Sequence, residues 1–294
     1  MFYRRKIILA LLQVFGGSLK KINLQKLLFL ICNKQKKPDY DFIPYLYGCY
    51  SHSAKADLVT MVQKNFLSED ESSYTKNDKK NYLSLLDEED KMLINQTYVL
   101  FHKMGSDSLM KHSYTNFPYY AINSTVADKL LNKAQLSKIN ATRPALTSTI
   151  LFTIGYEGVS LEAYLNKLIK NDIKILVDVR NNPLSQKFGF SKSQLQKYCD
   201  GLNIEYIHFA DVGIQSEYRQ ELNDQDDYDN LFQVYKIKTL SHTISTQEKI
   251  LSLLKEKRRI ALTCFEANIC QCHRKHLAEA ITQLPEWNYE LKHI

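Results

Sequence analysis

The sequence predicts an α/β protein in two parts: an N-terminal helical domain, then a C-terminal α/β domain built on a mainly parallel sheet. Residues 1–136 carry apolar residues at helical spacing, residues 150–294 alternate apolar strand-like runs with helical segments, and residues 137–149 show little periodicity. Strands that alternate with helices pair in parallel, and parallel sheets bind ligands at the carboxyl ends of their strands.

In the first part, Ile7, Ile8, Leu11, Leu12 and Phe15 predict one helix and Leu24, Leu27, Leu28 and Ile31 a second, with Gly16-Gly17 breaking the pattern between them. Tyr40 to Gly48 is rich in aromatics and contains Pro44, so it reads as an extended or turning segment before a helix over Ala54–Phe66. Residues 68–81 are polar and read as a loop or wing; Asp87–Met104 reads as a further helix. Arg143-Pro144 lies in the expected linker.

In the second part, strands are expected over Ile150–Tyr156, Lys174–Arg180, Ile204–Ala210 and Arg259–Glu266. Ser160 is placed to cap a helix through about Asp172, and Ser245-Thr246-Gln247-Glu248 has the spacing of a capping box for a helix through about Arg258. Gln215–Asp229 holds six acids and one arginine, which predicts a surface excursion or an acidic lid.

Composition narrows the function classes. The chain has 294 residues, 44% hydrophobic and 24% charged, as expected of a globular protein with two cores. No apolar run approaches the ~20 residues of a membrane span, and the run Ile7–Val14, though preceded by Arg4-Arg5-Lys6, lacks a small-residue cleavage site, so no membrane role and a cytoplasmic location are expected. Six scattered cysteines do not make a secreted disulfide framework and are expected to be reduced. The net charge is +7, and residues 1–40 alone carry nine Lys/Arg against one acid, Asp39. A basic segment of this kind either attracts phosphate backbones, with Lys20, Lys21 and Lys26 as the contacts, or forms a solvated surface.

The polar residues suited to chemistry gather at the expected strand ends. Asp178 and Arg180, at i and i+2 of a strand, point to one side, either toward a ligand or onto each other. A guanidinium there suits bidentate recognition of phosphate or carboxylate. Glu266, closing the last strand, is placed for general acid/base work, or else for capping or pairing with Arg274. His273 and Arg274 open a helix whose N-terminal N–H groups favour an anion. Cys272 at that position is a possible nucleophile or a packing residue. Tyr156, His208 and Ser185 complete the expected substrate-binding set. A zinc reading of Cys270, Cys272 and His273 lacks a second Cys/His pair at finger spacing, so no metal ligand is assigned; a divalent metal is allowed but not demanded.

Two resemblances follow from these motifs. Phe152-Thr153-Ile154-Gly155-Tyr156, then Asp178 to Ser185 with Phe190-Ser191-Lys192, Tyr206-Ile207-His208, and Leu262 to Glu266 with Cys272-His273-Arg274 resemble the domain-of-unknown-function 488 family over about 150–294. Ile269 stands where that family often has proline, and Asp211-Val212-Gly213-Ile214 only loosely matches its Leu-Gly-Gly turn. That family has no settled activity, so the resemblance implies a site without naming a reaction. Leu24 to Phe29 followed by Tyr40 to Ser51 is similar to the Panacea or SocA-like antitoxin domain over roughly 5–120, with Cys49 at a position usually held by proline. This second resemblance implies protein or DNA contacts in toxin-antitoxin or phage-defence settings.

The leading expectation is a hydrolase acting on nucleic acid or a nucleotide-like phosphate compound, either as a nuclease at a phosphorus centre or by cleaving a glycosidic bond, in a phage-defence or toxin-antitoxin setting. Glu266 is its expected general acid/base, Asp178 a second carboxylate for water or a ribose, and Arg180, His273 and Arg274 an anion clamp. Metal-assisted cleavage through Asp178, Glu266 and His273 is allowed. The alternative is an adaptor or antitoxin-like regulator that senses a ligand, with a protein partner on the helical domain.

Overall fold

The computed structural model describes residues 1–215, 222 and 224–294. The chain divides into two compact units, Met1–Arg143 and Pro144–Ile294. Among the described residues no helix is long and apolar enough to cross a membrane.

The first unit runs α1 (Tyr3–Val14), β1 (Ser18–Lys20), α2 (Lys21–Cys32), β2 (Ile43–Tyr45), β3 (Gly48–Tyr50), α3 (His52–Gln63), β4 (Leu67–Glu69), β5 (Ser73–Lys76), α4 (Glu88–Phe101), α5 (Ser106–Asn116), α6 (Ala127–Leu130) and α7 (Lys133–Thr142). Its core joins the apolar faces of α1 and α2, from Ile7 to Leu12 and from Leu24 to Ile31, with Phe42, Leu58, Met61 and Ile94. The expected turning segment is the β2–β3 hairpin, and the expected polar wing is the β4–β5 hairpin, which β1 extends into a three-stranded antiparallel sheet. Helix α7 occupies the first residues of the expected linker. Asn132 and Gln135 close its start as a capping box, a local signal that the weak apolar periodicity there concealed.

The second unit runs β6 (Ile150–Gly155), α8 (Leu161–Lys170), β7 (Ile175–Asp178), α9 (Lys192–Asp200), β8 (Glu205–His208), α10 (Gln225–Lys238), α11 (Ile244–Lys257), β9 (Arg259–Cys264), α12 (His273–Thr282) and β10 (Glu290–His293). Its sheet has the order β10-β6-β9-β7-β8 with every neighbouring pair parallel. The central strands β6, β7 and β9 are buried along nearly their whole length, the pattern of a sheet covered on both faces. Val177, Val179, Ile260, Leu262 and Cys264 join one core with Leu254, Leu277 and Ile281 of α11 and α12. On the opposite side, Tyr164 of α8 donates to Thr263 Oγ1 at 2.7 Å.

Ser160 caps α8 as expected, accepting from the Ala163 N–H at 3.0 Å. Ser245 does not cap α11: that helix begins at Ile244, after Thr243, because the chain already turns helically from Leu240 to His242. The acid-rich segment is only partly a connection. Asp224 caps α10, accepting from the Asp227 N–H, and Asp226 and Asp227 lie in its first turn, where acids favour a helix. Residues 216–221 and 223 of the expected lid lie outside the described residues.

Candidate functional site

Strand register decides how the strand-end polar residues group. Asp178 pairs with Thr263 across the β7–β9 ladder, and neighbours in register share a face. Cys264, one residue on, therefore faces the other side. The five residues expected to converge, Asp178, Arg180, His208, Glu266 and His273, are accordingly divided between two clusters.

The first cluster lies at the ends of β7 and β8. Asp178 is fully buried and Arg180 nearly so. Arg180 Nε donates to both Asp178 carboxylate oxygens, at 2.9 and 3.1 Å, while its Nη1 donates to Tyr156 Oη at 2.7 Å and the Phe190 carbonyl at 2.9 Å. Tyr206 Oη donates to Asp178 Oδ2. Burial opposes the Arg180 charge, but the Asp178 carboxylate outweighs it and raises the guanidinium pKa. Burial and then the charge of Asp178 likewise push the Tyr206 phenol above its ordinary value. His208 Nε2 lies 2.8 Å from the Arg180 carbonyl and its Nδ1 3.2 Å from Lys192 Nζ, so Nε2 carries the proton and Nδ1 accepts. Tyr156, 2% exposed, stacks on Phe190 with ring centroids 4.3 Å apart. Of its two sequence alternatives, Asp178 shows the second: its carboxylate accepts from Arg180 and Tyr206.

The second cluster joins the end of β9 to the start of α12. The Cys264 and Cys272 thiols each donate to Glu266 Oε2 at 3.1 Å, and Cys264 Sγ lies 3.6 Å from His273 Nδ1. His273 Nε2 lies 3.0 Å from the Val179 carbonyl, so Nε2 carries the proton and Nδ1 turns a lone pair toward the sulfurs. Burial opposes a thiolate at both cysteines. At Cys264 hydrogen bonding to Cys272 leads the causes that oppose burial, and the thiol is held below its ordinary value; at Cys272 burial and the neighbouring Cys264 push it up. Cys272, the expected nucleophile, is 1% exposed.

Arg274 does not reach the Glu266 carboxylate. It donates to the Glu266 carbonyl at 2.5 Å and the Ala267 carbonyl at 3.4 Å, which fixes the turn after β9 rather than an anion. Gly155 makes room for that turn: a β-carbon there would lie 2.0 Å from the Glu266 carbonyl oxygen. His273, 1% exposed, is likewise not a surface anion ligand.

The two clusters meet at a cavity of about 470 Å³, whose wall includes Arg180, Asn181, Asn182, Lys187, Cys264 and Phe265. Tyr156, Ser185, Leu184 and Ile214 also line it. Lys187 Nζ bonds the Tyr156 carbonyl at 2.6 Å, and burial lowers its pKa, partly offset by Glu157. Lys187, Cys264 and Tyr206 are contributors that the sequence reading left out. Cys264 was findable, since it stands two residues before Glu266 in a run expected to be a strand through Glu266; Lys187 carried no such signal.

A larger cavity of about 830 Å³ lies in the first unit between Lys34–Asp39 and Asp87–Asp90. Lys36 pairs with Glu89 across it, and among the described residues no cysteine, serine or histidine lines it. The expected nucleic-acid contacts also divide. Lys20 is exposed, Lys21 pairs with Glu69 at 2.7 Å, and Lys26 is 2% exposed with its Nζ on the Cys49 carbonyl at 2.8 Å. Lys26 is a core residue, because its side chain follows the apolar face of α2 inward, and it is not available to a polymer.

Residues 160–281 match the family described as Domain of unknown function DUF488, the segment that contains α8 through α12 and most of both clusters. The match does not extend to the antitoxin-like resemblance expected over 5–120. No curated protein matches the chain.

Proposed function

We propose that the C-terminal unit hydrolyses a nucleotide-like phosphate compound, with Glu266 as the proton-transferring group. The observation that carries this reading is the position of Cys264, which forms part of the cavity wall and contacts the Glu266 carboxylate at 3.1 Å. Aromatic and aliphatic walls at Tyr156, Phe265, Leu184 and Ile214 suit a base, and Lys187 with Asn181 and Asn182 suits phosphate oxygens. Glu266 takes a proton from water as the water oxygen bonds to the reacting centre, then returns it to the departing oxygen. Asp178, Tyr206 and His208 act through Arg180 by fixing the cavity wall it forms.

The first unit does not favour a polymer as the substrate. Four of the nine basic residues of its first segment are paired internally, Arg4 and Arg5 with Asp57, Lys21 with Glu69 and Lys36 with Glu89, and Lys26 is buried. A free nucleotide is therefore placed ahead of DNA or RNA.

The test is turnover by the full chain on nucleoside phosphates, single- and double-stranded DNA, RNA and modified-base DNA, with and without divalent metal. Glu266→Gln is expected to bind the substrate and turn it over ~10²–10⁴-fold more slowly. Lys187→Ala is expected to weaken binding instead, since it deletes a phosphate partner and leaves the proton-transfer group. Tight binding without product, with Glu266→Gln indistinguishable from wild type, overturns the hydrolase reading in favour of a ligand-sensing regulator.

A further inference from the structure

The second cluster has a composition that the hydrolase reading does not require. Cys264 Sγ, Cys272 Sγ and one ring nitrogen of His273 all lie within 4.8 Å of one another, and all three residues are buried. Tetrahedral zinc, with bonds of roughly 2.3 Å to sulfur and 2.0–2.1 Å to nitrogen, places neighbouring ligand atoms about 3.5 Å apart. The Cys264 Sγ to His273 Nδ1 separation is 3.6 Å.

Three further observations go with that spacing. The His273 ring is oriented as a metal ligand is: its Nε2–H is spent on a backbone carbonyl, that of Val179, leaving the Nδ1 lone pair to face the sulfurs. Two sulfurs and an imidazole are the soft donor set that selects zinc over magnesium or calcium. The ligands also come from two rigid elements, the last residue of a buried central strand and the first turn of a helix packed on that sheet, so no loop has to order before a metal is held.

We propose that Cys264, Cys272 and His273 bind one zinc ion, with Glu266 beside the remaining coordination position. Metal binding releases to solvent the two thiol protons that the Glu266 carboxylate oxygen accepts in the free protein, each at 3.1 Å, and that oxygen would then be placed to hold the hydrogen of a metal-bound water. Three protein ligands with one open position is the arrangement of catalytic rather than structural zinc. Cys270, which a reading by sequence spacing groups with Cys272 and His273, is exposed and is not a ligand. Any part the metal takes in turnover rests on the hydrolase reading above; metal binding itself does not.

The experiment uses the full chain, reduced and stripped of metal by a chelator, and titrated with cobalt(II) as an optical stand-in for zinc. Wild type is expected to take up one cobalt per chain with an intense sulfur-to-cobalt charge-transfer band, and zinc is expected to displace it. Cys264→Ser and Cys272→Ser should each lower that band by about half and weaken binding roughly tenfold or more, as loss of one of two thiolates requires. Cys270→Ser should leave it unchanged. Absence of the band in reduced, folded wild-type protein overturns the site without recourse to any variant. Loss of the band in Cys270→Ser overturns the ligand assignment. Because the readout is optical, the two readings fail separately: a full cobalt spectrum without hydrolysis sinks the hydrolase reading alone, and hydrolysis by metal-free protein that shows no cobalt band sinks the zinc site alone.

Discussion

Arg180 folds back onto Asp178, its Nε within 2.9 and 3.1 Å of the two carboxylate oxygens, so the acid at the end of β7 has the arginine two residues later as its main partner. The pair is buried, Nη2 also donates to Asp178 Oδ2, and Nη1 reaches Tyr156 and Phe190, which ties β7 to the end of β6 and to the turn before α9. A charge pair of this kind is a structural joint: its Coulomb attraction largely offsets the cost of taking both ions out of water, and breaking one side leaves the other charge buried and uncompensated.

Asp178→Asn should therefore destabilise the C-terminal unit by about 3 kcal/mol, since the amide has the size of the acid and none of its charge. Chemical denaturation read by the near-ultraviolet signal of the buried tyrosines measures this. A loss below about 1 kcal/mol would mean that water or a rearranged partner reaches Arg180.

Gly155→Ala tests whether the turn after β9 positions Glu266. The added β-carbon would meet the Glu266 carbonyl oxygen at 2.0 Å, a backbone atom that Arg274 also holds. The turn must move, so the expected result is loss of activity and of cobalt binding in a protein whose far-ultraviolet spectrum is retained. A variant that binds and reacts like wild type shows that the turn does not set the site.

The first unit offers a pH test. Asp57, 2% exposed, accepts from Arg4 Nε at 2.6 Å, Arg5 Nε at 2.7 Å and Tyr40 Oη at 2.8 Å. Burial pushes its pKa up, but these hydrogen bonds and the arginine charges overcome it and hold the carboxyl below its ordinary value of 3.8. A folded-state pKa below the unfolded one gives stability that is full above the ordinary carboxylate range and is lost as pH falls through the depressed value. Asp57→Asn should lower the melting temperature at neutral pH, with the gap from wild type closing only below pH of about 4. A gap that stays constant down to the acid limit would assign the loss to packing instead of charge.

The sequence alone determined the strands that are buried on both faces. Lys174–Arg180 and Arg259–Glu266 stood out because a covered parallel strand must be a nearly continuous apolar run, whatever lies next to it. The helices α1 to α4 and the Ser160 cap were legible for the same kind of reason: 3.6-residue periodicity and a capping hydroxyl are local. Strand β10 was not, because Glu290-Leu291-Lys292-His293 is a mostly exposed edge strand whose identity comes from pairing with β6, 140 residues away in sequence. The start of α10 was hidden too, since its cap and first-turn acids resemble a polar loop until the helix behind them is known.

The same division runs through the site. Placement at strand ends was legible, as topology puts ligand crevices there. Which groups are occupied was not, because i, i+2 spacing says only that Asp178 and Arg180 point the same way, toward a ligand or toward each other. Only the packing of Tyr206 and Phe190 around them settles that choice in favour of the ion pair. Likewise, Cys264 and Cys272 are eight positions apart on different elements, and the docking of α12 against the end of β9 brings their thiols to one carboxylate oxygen. Local periodicity is a property of neighbours along the chain, whereas a charge pair or a ligand cluster is a property of three-dimensional distance, and that distance exists only once the sheet has chosen its register.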